Sequence, residues 1–202
     1  MIRSLYYLKA MGYDFADRAR LGPQKIDHFK ALYSSVSSCT LCNFYKSRKH
    51  PLMERAEKSV KLLILDTHAQ KSENESGLLL NGSKGEILQR YLKDALGLGR
   101  DEFYLSYVFK CFSGGNHDDF SLQSCLPFFW NEIEIIRPKI LLCLGEYAFR
   151  ALGFSDFSST RGGIFAHKNF FILASFSLEF LDKNPSQKKE FVSDLMKIKG
   201  YL

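Results

Sequence analysis

The chain lacks several things that would settle its class at once. In 202 residues no apolar run approaches the roughly 20 residues of a membrane helix. The opening "MIRSLYYLKAMGYDF" is interrupted by charge and no small-residue cleavage site follows, so a signal peptide is not expected and a cytoplasmic protein is. There is no internal repeat and no low-complexity segment. "NGSKGE" lacks the spaced glycine and Lys-Ser/Thr of a Walker motif, and no Gly-x-Gly-x-x-Gly follows an apolar strand. None of the five histidines lies beside a nucleophile elbow, so no serine-hydrolase triad is readable.

What is present describes a globular chain. Hydrophobic residues make up 46% and charged residues 25%, which excludes a disordered chain. Net charge is +6, which permits a polyanionic partner without requiring one. Four apolar runs read as buried strands: "VKLLILD" (60–66), "EFYLSYV" (102–108), "KILLCLG" (139–145) and "NFFILAS" (169–175). Their continuous rather than alternating apolar character suits parallel strands covered on both faces. Helical patterns lie between them. "SKGEILQRYLKDAL" (83–96) carries Ser83 and Glu86 at capping-box spacing, and residues 121–136, 146–152 and 186–200 make further helices. Pro127 falls near the start of the second of these or kinks it, and Gly153 closes the third. The expected fold is α/β, a three-layer α/β/α sandwich on a central, mainly parallel four-stranded sheet. Residues 1–35 are expected to form a helical N-terminal extension, broken at "LGPQK", ahead of an α/β domain over 36–202. Ligands of such sheets bind beyond the carboxyl ends of the strands, after residues 66, 108, 145 and 175.

Cysteine is scarce and spaced. Cys143 lies inside an apolar strand and reads as a core thiol. The other four are Cys39 and Cys42 at CxxC spacing, Cys111 just after the second strand, and Cys125 fourteen residues on. Disulfides are not expected in a reducing cytosol. Spacing leaves open a shared four-thiolate site or unrelated buried thiols, and it does not separate zinc from an iron–sulfur cluster. The pair precedes the first strand instead of opening a helix after one, which argues against a thioredoxin-like redox role. The tail "NFYKSRKHP" interleaves basic and aromatic residues, a pattern suited to phosphate and stacking contacts and equally to a solvated loop.

Several segments, in order, resemble the iron–sulfur (family 4) uracil-DNA glycosylases over residues 36–195. "CTLC" resembles that family's first cysteine pair. "SGLLLNGSKGEIL" keeps the three glycines of its Gly-x-Pro-Phe-Val-Gly-x-Ala-Gly segment as Gly77, Gly82 and Gly85. "FYLSYVFKC" keeps its Lys-Cys as Lys110 and Cys111. "IRPKILLCLGEYAFRALG", "RGG" (161–163) and "ASFSLEFLDKNPSQKKEF" resemble its later strands. The resemblance implies a four-iron four-sulfur cluster on Cys39, Cys42, Cys111 and Cys125, with zinc or an unloaded site as alternatives. It also implies DNA as partner, contacted through Lys84, Lys110, Arg161 and Ser177.

The pocket positions depart from the family. Its stacking aromatic is Leu80, its base-reading asparagine is Tyr107, its strand-end histidine is Ser177, and its loop glutamate is Thr67. Leucine has no π-face, tyrosine lacks the amide's paired donor and acceptor, and serine carries no positive charge. The expectation is a monomeric DNA-binding relative without ordinary uracil excision, serving repair or replication. One alternative is a glycosylase of altered base specificity using Glu73 and His68 as catalytic groups and Asn81 as a base reader. A second is a protein-interaction module that does not bind DNA. A protein partner at the N-terminal region is also expected.

Overall fold

The structure, a computed structural model, describes residue 26 and residues 28–202. The expected break at residues 21–25 lies outside the described residues, as does most of the expected extension. Helix α1, Phe29–Ser37, spans the expected boundary at 35/36, and its Phe29, Leu32 and Val36 are buried in the same core as the sheet.

Five strands form one sheet: β1 Leu62–Asp66, β2 Phe103–Tyr107, β3 Ile140–Leu144, β4 Ile164–His167 and β5 Phe170–Ser175, in the order β2-β1-β3-β5-β4. Every pairing is parallel except β4 with β5. The four expected strands are the parallel ones. The fifth, β4, corrects the expected count. It is four residues long, half-exposed, and lies on the edge, so it carries no continuous apolar run.

Both faces of the sheet are covered, which is why its strands are apolar throughout. Along β1, Leu63 and Leu65 enter one core and Leu62 and Ile64 the other. The first core holds α1 and the long helix α4 after β2, Asp119–Ile136. It also holds Ala148 and Phe149 of α5, Glu146–Ala151. The second holds three helices. These are α3, Ser83–Leu96, α7, Leu178–Lys183, and α8, Lys188–Lys197. Two short helices complete the set among the described residues, α2 at Lys71–Ser76 and α6 at Phe157–Thr160. The architecture is the expected three-layer α/β/α sandwich.

Local expectations fare unevenly. Gly153 closes α5 as expected, with φ +90 and its N–H on Arg150 O at 2.9 Å. Pro127 lies well inside α4, where Asn131 Nδ2 bonds its carbonyl at 2.9 Å. The Ser83 capping box does not form. Gly82 is the N-cap of α3 and Ser83 its first helical residue, with no side-chain cap.

Lys110 lies three residues past the end of β2 and points inward. Its Nζ is 2.5 Å from Glu132 Oε2 and 2.6 Å from Ser106 Oγ, while Tyr104 OH donates to Glu132 Oε1 at 2.9 Å. Lys110 is 1% and Glu132 0% exposed. Two buried charges in one layer are tolerable only when paired and hydrogen-bonded, and this network gives the Lys110 ammonium two partners and each Glu132 oxygen a donor.

Candidate functional site

The carboxyl ends of β1 and β2, the start of α3 and the start of α7 converge on one point. β1 delivers Asp66, Thr67 and His68. Asp66 is buried, and its Oδ1 accepts from Thr67 N at 2.7 Å. Burial pushes its carboxyl up to about 6, against the smaller pull of that peptide bond and of Lys84. His68 is pushed down to about 4 by burial, then by Lys84 and His117. It is therefore a neutral imidazole near pH 7. Its Nε2 stands 3.9 Å from Glu179 Oε1 and its ring 5.5 Å from His117, which lies against Tyr147 at 4.3 Å.

Glu73 is the hub. Its Oε1 accepts from Tyr107 OH at 2.7 Å and from Leu80 N at 2.6 Å, and its Oε2 from Gln70 N at 2.6 Å. It is 2% exposed. Burial and the neighbouring Glu73 raise the Tyr107 phenol well above its usual value, so Tyr107 stays protonated and donates. Leu80 sits in the left-handed region at φ 62, a conformation that costs a non-glycine residue about 1–2 kcal/mol. The Glu73 carboxylate holds it there through Leu80 N, and Gly85 allows α3 to lie directly on the Leu80 backbone. A methyl at Gly85 would stand 2.3 Å from Leu80 O.

These contacts fill the space beyond the strand ends. The cavity lined by Asp66, His68, Leu80, Lys84, Tyr107 and Leu178 is about 10 Å³, room for one water at most. An ion pair between Lys84 and Glu179 ties α3 to α7 at its margin. A larger open groove of about 570 Å³ runs outside that pair between the same two helices, floored by Ile87, Tyr91 and Leu181.

Each expected site residue can now be placed. Leu80 and Tyr107 are buried and line the small cavity, and Thr67 is buried beside Asp66 without lining it. Ser177 is the N-cap of α7 and accepts from Phe180 N at 3.2 Å. Asn81 is exposed and bonds Ser76 Oγ at 2.9 Å. Glu73 and His68 do not form an acid–base pair. Glu73 is consumed by three hydrogen bonds, and His68 faces Glu179 and His117. The expected phosphate contact at Lys110 is corrected, because that ammonium is buried on Glu132. Arg161 pairs with Glu190 at 2.7 Å and Asp194 at 3.0 Å and lies over the Phe176 ring. Sequence reasoning passed over Asp66, Gln70 and Glu179. The one available signal was Asp66, a carboxyl closing an otherwise apolar strand.

Cys39, Cys42, Cys111 and Cys125 are all free thiols, the last three buried. They lie within electrostatic reach of one another. Burial pushes Cys111 up to about 11, with Cys42 and Cys39 adding to the rise. It pushes Cys125 up to about 12, with Cys42 and Cys111 adding. The loop after α1, the segment after β2 and helix α4 each contribute to this set of soft donors. Among the described residues, no three or more His, Cys, Asp or Glu side chains gather tightly enough to hold a single metal ion. The donor set fits a four-iron four-sulfur cluster, which is larger than one ion and takes four cysteine thiolates.

The fold and site define a doubly wound α/β protein whose crevice beyond β1 and β2 is filled by side chains to about 10 Å³. The uracil DNA glycosylase superfamily model matches residues 54–197, and the chain belongs to that superfamily. Its relatives include the type-4 uracil-DNA glycosylase of Sulfurisphaera tokodaii, 25% identical over 186 residues, or 86% of this chain and 84% of that protein. The type-4 enzyme of Archaeoglobus fulgidus is 23% identical over 175 residues, 81% and 87% of the two chains. That of Pyrobaculum aerophilum is 27% identical over 123 residues, 60% and 62%.

Proposed function

We propose that this chain is a DNA-binding protein on the uracil-DNA glycosylase fold that carries a four-iron four-sulfur cluster and does not excise uracil in the ordinary way. One observation carries the reading: the crevice beyond β1 and β2 has room for a single water. Excision requires a base turned out of the stack into a pocket. Here the Tyr107 phenol occupies that space and is latched to Glu73. The latch also uses the carboxylate that would otherwise serve as a base. At α7, Ser177 offers a hydroxyl already engaged in capping, where a departing uracil anion needs positive charge.

Relatives named as type-4 uracil-DNA glycosylases and the net charge of +6 support DNA as the partner. Cys39, Cys42, Cys111 and Cys125 would hold the cluster. Its contribution when bound would be to join the N-terminal cysteine loop to the segment after β2. No helix among the described residues is long and apolar enough to cross a membrane.

The test is uracil release from single- and double-stranded DNA by folded, iron-loaded protein. The expected result is no release above buffer. Release at rates typical of the relatives would overturn the reading, and release of a different damaged base from a panel would move it to a glycosylase of altered specificity.

A further inference from the structure

Within "NFYKSRKH", Lys46, Lys49 and His50 are exposed, and Arg48 turns inward. Its Nη1 donates to Val36 O at 2.7 Å and stands 3.5 Å from Cys111 Sγ, and its Nη2 donates to Ser37 O at 2.7 Å. The fork therefore spans the end of α1 and a cysteine after β2. Among the described residues no carboxylate pairs with it. A half-buried guanidinium with two carbonyls and a neutral thiol has no counter-charge. Four thiolates on an iron–sulfur core carry net negative charge and would balance it.

The backbone on either side of Arg48 is held. Asn74 Oδ1 accepts from Lys49 N and its Nδ2 donates to Ser47 O, both at 2.9 Å, and Ser47 Oγ donates to Phe112 O at 2.6 Å. Asn74 is 3% exposed and belongs to α2, the helix that carries Glu73. Such a clamp aims one side chain and leaves its exposed neighbours free.

We propose that Arg48 is the charge-balancing residue of the four-cysteine centre, donating to the Cys111 thiolate and raising the reduction potential of the cluster, with Asn74 as the residue that positions it. The inference rests on the cluster reading above. A cation and a hydrogen bond at a ligand sulfur favour the more negative, reduced state, so both raise the potential. Lysine keeps the charge but not the planar fork that reaches two carbonyls and a sulfur together.

The experiment uses the full chain, purified without oxygen and titrated with dithionite. Dithionite supplies one electron to the cluster and no bond is made or broken in the protein. Iron content, visible absorbance and electron paramagnetic resonance give loading and midpoint potential. Arg48→Gln is expected to keep its iron and shift to lower potential. Arg48→Lys is expected to shift less, Asn74→Ala to shift in the same direction, and Lys46→Gln not to shift. An iron-loaded Arg48→Gln with the wild-type potential overturns the inference and leaves the cluster reading intact. If Arg48→Gln loses its iron, Arg48→Lys and Asn74→Ala decide: lowered potentials support the inference and unchanged ones overturn it. A wild type that binds no iron overturns the cluster reading and this inference with it.

Discussion

Asp66 and His68 stand two residues apart and are pushed in opposite directions by the same burial. Asp66 rises from 3.8 to about 6, so the folded state keeps a proton that the unfolded state has released. Its contribution is fully present below about 3.8 and is lost as pH rises through about 6. That difference is worth on the order of 3 kcal/mol. His68 runs the other way. Its neutral form is favoured in the fold, so its contribution is present above 6.5 and lost as pH falls toward about 4. Between those values the two offset each other. Asp66→Asn keeps the acceptor for Thr67 N and removes the ionisation. It should therefore stabilise the protein at pH 8 by on the order of 3 kcal/mol and have little effect near pH 4. Urea denaturation at both pH values checks it. Equal gains at the two would show that Asp66 is not titrating as described.

At the scale of elements, the start of α3 decides the shape of the crevice. The Ser-x-x-Glu spacing at 83–86 marks the right helix, but the structure caps it with Gly82. That spacing states what a serine can do. The approach of α2, which brings Ser72 and Gln70 against Gly82, decides what fits. Gly85 lets α3 rest on the Leu80 backbone. Gly85→Ala should cost about 1–3 kcal/mol by overpacking, because the contacts at 2.3–2.5 Å are to backbone that cannot swing away. Gly200→Ala, with open space around it, should be nearly neutral in the same denaturation experiment. The four parallel strands were legible because burial on both faces writes an unbroken apolar run. The edge strand Ile164–His167 was not, since a half-exposed strand pairing on one side writes no such pattern.

At the scale of the whole molecule, the net charge of +6 overstates the cationic surface at the expected contacts. Lys110 is buried on Glu132, Lys84 pairs with Glu179, and Arg161 is held by Glu190 and Asp194. DNA affinity should therefore fall with salt along a shallow line. We expect a slope of roughly −2 to −3 in log K against log salt, as for two or three neutralised phosphates. Fluorescence anisotropy on a labelled duplex across a salt series measures it. Binding that ignores salt, or no binding, turns the reading toward a protein-interaction module.

The sequence by itself determined the layers of the fold and the departures at Thr67, Leu80, Tyr107 and Ser177, because buried strands and residue identities are local properties of the chain. It also carried the four cysteines, though not their meeting. Only the tertiary structure decided that Lys110 is an internal cation, that Arg48 faces a cysteine, and that Tyr107 locks onto Glu73. Each depends on side chains from segments more than twenty residues apart meeting in a low-dielectric interior, where an unpaired charge or hydroxyl is costly and the partner that satisfies it fixes the direction.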